Sequence, residues 1–237
     1  MTYLFIFAHP DDESVSCSAT MKRLIDSGDK VILVSATDGS GGEVMEKAKA
    51  NLKKFGSLGE LRREELKNVA RLLQVTKLHI LDFKDGAITN VQVWNELKQA
   101  FITLINEYKP DVVVTFDHTG WYYHLDHVGV SIAVTLAFQE ADHKADALLH
   151  AYMKIKSSDQ KWKYIFPETQ PISHTVDASE LREFKLDVLK SHASQNIEVI
   201  SKKVREEENH QEIFQLVLAT EKGKKLLAKH SVFKLAK

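Results

Sequence analysis

Two short segments of the chain carry residues of the kind that grip a cation and move protons. The first is His9-Pro10-Asp11-Asp12-Glu13. The second is Tyr122-Tyr123-His124-Leu125-Asp126-His127. Imidazole and carboxylate are the usual donors to a catalytic zinc, which takes three protein ligands and keeps a position open for water. Three such donors can be chosen here: His9, Asp12 and His127. Asp11 is then left free beside the metal. A carboxylate in that place can take a proton from an activated water and later give one to a leaving amine. Taken alone, each segment also has an ordinary explanation. Acids after a strand are common at a helix start, where the helix dipole favours them. A His-x-x-His spacing is common on protein surfaces. What sets the two segments apart is where the chain puts them.

The first half of the sequence alternates short apolar runs with helical patterns. Residues 3–8, 31–36, 78–83 and 112–116 read as buried strands. Residues 14–27, 58–73 and 91–108 read as helices. The last carries Trp94, Leu97, Phe101, Leu104 and Ile105 on one face and is stopped by Pro110. Strand–helix alternation at this spacing predicts an α/β fold with a mostly parallel sheet covered on both faces. Right-handed crossovers favour the doubly wound order 3-2-1-4. Strands one and four are then neighbours, and the crevice beyond their carboxyl ends is where such folds place ligands. Both segments follow those two strands, so more than a hundred residues of separation collapse onto one crevice. The second half is less regular from about residue 142. There, 148–155 reads as a strand, 179–192 and 213–229 as helices, and 156–171 as a polar loop or lid.

At these residues the chain resembles the PIG-L/LmbE-like deacetylase family, whose hallmarks are A-H-P-D-D-E near the N-terminus and a later H-x-D-H. Here they are Ala8 to Glu13 and His124 to His127. The resemblance continues through Thr37–Glu43, Arg62-Arg63-Glu64-Glu65-Leu66, Asp85-Gly86, Pro110–Val113 and Lys185 with His192-Ala193-Ser194-Gln195. It implies a Rossmann-like fold with one divalent metal, most often zinc. The implied reaction is hydrolysis of an N-acetyl amide, chiefly on N-acetylglucosamine conjugates. By similarity His9, Asp12 and His127 bind the metal and Asp11 is the general base. His124 is the oxyanion donor, held in its protonated form by Asp126. Tyr122 contacts the intermediate, and Arg62 and Asp85 contact the sugar. Two departures bear on substrate identity more than on chemistry. Ser18-Ala19-Thr20 replaces the family's Gly-Gly-Thr, and Tyr123 replaces the glycine of its Tyr-Gly-His.

Several other residues have plainer explanations. Trp121 either faces a ligand or caps the sheet edge. Arg62 either reaches the substrate or forms an Arg–Glu pair on a helix surface. His118 reads as a loop histidine, and His192 and Gln195 as packing or capping groups. Cys17 reads as a small buried hydrophobe, and residues 37–42 as a tight turn without Walker spacing.

Composition fits a single domain over 1–237. Of its 237 residues 43% are hydrophobic and 27% are charged, enough to bury one core. A net charge of −1 offers no field to steer nucleic acid or a membrane surface. One cysteine excludes an intrachain disulfide and suits a reducing compartment. The first apolar run is too short for a signal peptide or a membrane span. The expectation is a soluble cytoplasmic enzyme acting on a small N-acyl amino-sugar-like substrate. The rival readings are a metal-dependent phosphoesterase, which more often carries two metals, and a non-catalytic small-molecule binding domain on the same scaffold.

Overall fold

The computed structural model describes residues 1–153 and 171–236. Its sheet has eight strands in the order β3-β2-β1-β4-β5-β7-β6-β8. β1 is Thr2–Phe7, β2 Lys30–Thr37, β3 Lys77–Phe83 and β4 Val112–Phe116. β5 is Ala147–Tyr152, β6 His174–Asp177, β7 Gln211–Ala219 and β8 Lys234–Leu235. The predicted 3-2-1-4 order is present, and β1 to β5 pair in parallel. β5–β7, β6–β7 and β6–β8 pair antiparallel. Helices flank the sheet. β1 and β4 are apolar except at Thr2 and Thr115, and buried except at Thr2, because helices cover them and an alternating pattern would leave a row of polar groups without water. Their register sets Tyr3 against Val112 and Phe5 against Val114, which brings the two carboxyl ends side by side.

The helices of the first half follow their sequence signals. α4, Leu58–Leu73, begins at Ser57, whose hydroxyl accepts the Glu60 N–H at 3.2 Å, and ends at Gln74 in the left-handed region. Its buried stripe is Leu58, Leu61, Arg62, Glu65, Leu66, Val69 and Leu73, so Arg62 and Glu65 face inward with the leucines. α5, Val91–Tyr108, is capped by Asn90 and buries Leu97, Phe101, Leu104 and Ile105. Each such side chain contributes about 1.5–3 kcal/mol by leaving water.

Four expectations need correction. The helix read over 14–27 is two helices, α1 at Asp12–Ser16 and α2 at Ser18–Asp26, parted at Cys17. The break is stabilised from outside. The first free N–H groups of α2, on Ala19 and Thr20, bond the Glu212 carboxylate at 3.1 and 2.7 Å. The helix read over 213–229 is β7 followed by α10, Glu221–Lys229. Its aliphatic run pairs on both sides, with β5 and β6, and this tertiary pairing overrides a helical spacing. The strand read over 148–155 is Ala147–Tyr152. Sequence reasoning also overlooked α3, Lys49–Phe55; α9 is Glu198–Glu206. The helix read over 179–192 is a 3-10 turn, Ser179–Leu181, leading into α8, Arg182–Lys190. The polar segment read over 156–171 lies outside the described residues except for Pro171. Among the described residues no helix is long and apolar enough to cross a membrane.

Candidate metal centre

β1 delivers His9 two residues past its end, and α1 begins immediately after with Asp12. Beyond β4 the chain turns at Asp117. This buried carboxylate accepts the Thr119 N–H at 3.0 Å, the Thr119 hydroxyl at 2.6 Å and the Trp121 N–H at 3.3 Å. The turn leads through the short, distorted α6, Gly120–Tyr123, into α7, Leu125–Glu140, which carries Asp126 and His127 in its first turn. Gly120 adopts φ 55°, and a Cβ there would lie 2.7 Å from the His127 Cβ. Only glycine lets this turn approach α7 so closely.

The three chosen donors converge. His9 Nδ1 is 3.2 Å from His127 Nε2, His127 Nε2 is 3.2 Å from Asp12 Oδ1, and Asp12 Oδ2 is 3.5 Å from His9 Nδ1. Two donors at about 2.0–2.1 Å from a tetrahedral ion lie about 3.3–3.4 Å apart, so each of these pairwise separations matches what zinc requires, with Asp12 meeting the two rings through different oxygens. His9, Asp12 and His127 are all more than nine-tenths buried. The far nitrogen of each imidazole is engaged. His127 Nδ1 donates to the Gly120 carbonyl at 3.3 Å. His9 Nε2 donates toward Asp85 Oδ1 at 3.1 Å and Asp126 Oδ2 at 3.3 Å. Such outer contacts fix the tautomer that turns the other nitrogen to a metal. The ring nitrogens of His9, His124 and His127 also lie close enough together to share an ion, and His124 Nδ1 is buried without a partner among the described residues.

The charge balance asks for a cation. Burial works against charge on His9, but bonds to Asp12, Asp126 and Asp85 override it and hold its pKa well above the usual imidazole value. Burial would raise the Asp12 carboxyl, yet His127 and His9 hold it far below the usual range. Asp85, likewise raised by burial, is pulled down by His9 and by the Gly41 N–H. With Asp11 and Asp126, four carboxylates stand with three imidazoles, His9, His124 and His127, and one guanidinium. A divalent ion displacing the extra proton fits this donor set.

Asp11 stands beside the triangle with φ 115° and ψ −27°, a left-handed backbone that costs an ordinary side chain about 1–3 kcal/mol. Burial raises its carboxyl, Arg62 opposes, and Asp12 raises it further, to about 6.

Among the other expected site residues, Tyr122 is at the rim, half exposed, its ring centroid 5.4 Å from that of His127 and 5.9 Å from that of His124. Trp121 is buried, and its indole N–H donates to the Ala151 carbonyl at 3.0 Å, so it caps the sheet edge. Arg62 is not on a helix surface. Its guanidinium donates to the Pro10 and Gly39 carbonyls and lies 3.3 Å from Asp11 Oδ2. Asp85 spends one oxygen on His9 and the other on the Gly41 N–H at 2.7 Å. Asp126 accepts from Gly86 N at 2.7 Å and Ile88 N at 3.2 Å besides meeting His9. Its expected grip on His124 is therefore corrected. The carboxylate is used on His9 and the 86–88 turn, and burial with the nearby His127 and His9 lowers the His124 pKa. His192, expected only to pack or cap, is wholly buried, and Gln195, expected likewise, donates to the Glu43 carbonyl at 3.2 Å; Ser194 between them is buried and anchors to Glu65 at 2.8 and 2.6 Å. Asp117 and Glu212 were missed. An aspartate directly after a buried strand is a turn signal that could have found the first. No local signal marks the second.

Known proteins give this geometry a family. A family model described as PIG-L, GlcNAc-PI de-N-acetylase, matches residues 4–138. A 1D-myo-inositol 2-acetamido-2-deoxy-alpha-D-glucopyranoside deacetylase of Thermomonospora curvata is 30% identical over 81% of this chain and 80% of its own length. The diacetylchitobiose deacetylase of Thermococcus kodakarensis is 30% identical over 81% of this chain and 69% of its own. With some other relatives the match is shorter; the chain spans 56% of a second such deacetylase, from Saccharopolyspora erythraea. The solved N,N'-diacetylchitobiose deacetylase of Pyrococcus horikoshii shares the fold, with a TM-score of 0.65 and 24% identity over 91% of this chain and 83% of that one. The family match spans more than half of the sequence and includes every residue of the donor triangle, and the protein belongs to the PIG-L family.

Proposed function

We propose that this protein is a zinc-dependent amide hydrolase that removes the acetyl group from an N-acetylglucosamine-type sugar or conjugate. The observation that carries this reading is the triangle of His9, His127 and Asp12 donor atoms, 3.2–3.5 Å on a side, with a spare carboxylate next to it. The relatives named as deacetylases of acetylated sugars support the substrate class.

His9, Asp12 and His127 would hold the ion, which when bound supplies Lewis acidity toward the amide carbonyl and acidifies a water. Asp11 takes the proton of the attacking water and passes it to the departing amine nitrogen, the two halves of general acid–base work. His124, with a ring nitrogen that has no partner among the described residues, donates a hydrogen bond to the oxyanion. Asp126 and Asp85 act through His9 by fixing its ring. Arg62 acts through Asp11, neutralising part of the local negative charge and holding the carboxylate in place. Tyr122 closes the rim over the reacting carbon.

The test is metal analysis of the purified protein combined with acetate release from a panel of N-acetylglucosamine derivatives. Expected are one zinc per chain and release that a chelator abolishes and zinc restores. Stoichiometric zinc with no release from any N-acylated sugar would sink the proposal.

A further inference from the structure

Two buried side chains take no part in the chemistry above. Glu13 ends the first motif, and His192 lies 179 residues further along. Glu13 Oε2 accepts the Asp11 backbone N–H at 3.0 Å. Glu13 Oε1 accepts from His192 Nε2 at 2.9 Å and from the Ser14 hydroxyl. Glu13 and His192 are 1% and 0% exposed.

The pair meets a need set by the backbone. Asp11 at φ 115° returns to negative φ unless its surroundings hold it. The Val15 N–H fixes the carbonyl side of Asp11 at 2.9 Å. On the amide side the described hold is the bond to Glu13. A glutamate side chain has three rotatable bonds and anchors nothing unless its far end is fixed. His192 fixes it from across the fold. That histidine is itself tied down, its N–H to the Leu189 carbonyl at 3.0 Å and its near neighbour Ser194 to Glu65. Arg62 grips the carboxylate of Asp11, whereas Glu13 grips its peptide.

We infer that Glu13 and His192 form a positioning pair for the hydrolytic base, keeping the Asp11 peptide left-handed so that its carboxylate faces the attacking water. This rests on the amide-hydrolase reading. A relaxed Asp11 would swing its carboxylate off the donor triangle while leaving the triangle intact, so the signature of losing the pair is a fall in turnover without loss of metal.

The experiment compares His192→Leu, which fills the space without a donor, with His192→Gln, which keeps an N–H near the Nε2 position. Turnover, KM, zinc content and the crystal structure are read for each. For His192→Leu, kcat should fall about 10²-fold, the scale of a misplaced catalytic group. KM should stay within about threefold and zinc content should hold, since substrate binding is untouched. His192→Gln should recover most of the loss, and the Leu variant's crystal structure should show Asp11 at negative φ. Unchanged kcat, a loss that tracks zinc content, or Asp11 still near its wild-type φ would overturn the inference. Should His192→Leu not fold, Glu13→Gln is read by the same four measurements. If the wild-type protein cleaves no N-acetyl sugar, the hydrolase reading fails separately, and the Asp11 backbone in the variant crystal still decides the pair.

Discussion

The parallel half of the sheet, β1 to β5, and its antiparallel extension, β7, β6 and β8 with α8 to α10, serve the site in different ways. The parallel half supplies every candidate ligand and the base, all just past the ends of β1 and β4. Among the described residues the extension supplies no candidate ligand. Its part is to hold the frame from behind. Glu212 of β7 caps α2 through Ala19 and Thr20 and pairs with the buried Lys185 of α8. His192 and Ser194 reach back to Glu13 and Glu65. Reactive groups thus occupy the edge that the topology makes, and the groups steadying them come from the other end of the sheet.

The contrast can be broken in order of effect. His127→Ala should empty the centre and reduce hydrolysis to background while circular dichroism stays native; metal retained at full stoichiometry would mean another side chain, such as His124, holds the third position. Asp11→Asn should keep the metal and lower turnover about 10²–10⁴-fold, the usual worth of a positioned acid–base group. Turnover near wild type would move the base elsewhere. Lys185→Met, in the extension, should do the opposite. Leaving the Glu212 carboxylate buried without its cation costs about 3–5 kcal/mol, read as a lower urea midpoint, with metal affinity unchanged. If metal binding fell and the midpoint did not, the division between the two regions would be wrong.

A finer test lies at the seam. His150, buried in β5 where the parallel and antiparallel pairings meet, has its pKa lowered to about 3, first by burial and then by His118. Its folded pKa is below its unfolded one, so its contribution is complete above about pH 6.5. It is lost as pH falls toward 3, because only the unfolded chain then takes up the proton, at up to about 1.4 kcal/mol per pH unit. His150→Leu should flatten the stability profile over that window, measured by urea midpoints from pH 4 to 7. The smallest effect is expected at the surface. Arg205→Ala breaks an exposed pair with Glu198 within α9, and should shift stability by no more than about 0.5 kcal/mol.

Much of the parallel half was legible because its information is local. Continuous apolar runs mark strands buried on both faces, and the stripe through Leu61, Leu66 and Val69 marks α4. Given the crossover rule, neighbouring β1 and β4 then follow, and the donor triangle with them. The same α4 stripe places Arg62 and Glu65 inward, a clue in the spacing that decides against the surface Arg–Glu pair left open for Arg62. The extension was not legible in this way. The run Ile213–Phe214–Gln215–Leu216–Val217–Leu218 suits either a helix face or a strand, and its pairing with β5 and β6 decides the matter. The partners of Asp126 were also hidden. Its neighbour in sequence is His124, but the turn at Gly86 and Ile88, brought in from elsewhere, claims the carboxylate.

The spacing of the donors has a thermodynamic consequence. His127 follows His9 by 118 residues, so a denatured chain offers an ion at most the two nearby groups and grips it weakly. Nearly all the affinity then belongs to the native state. Free zinc at a hundred times its dissociation constant would protect that state by about 2.7 kcal/mol, and its heat resistance would rise and fall with the zinc supplied by its surroundings.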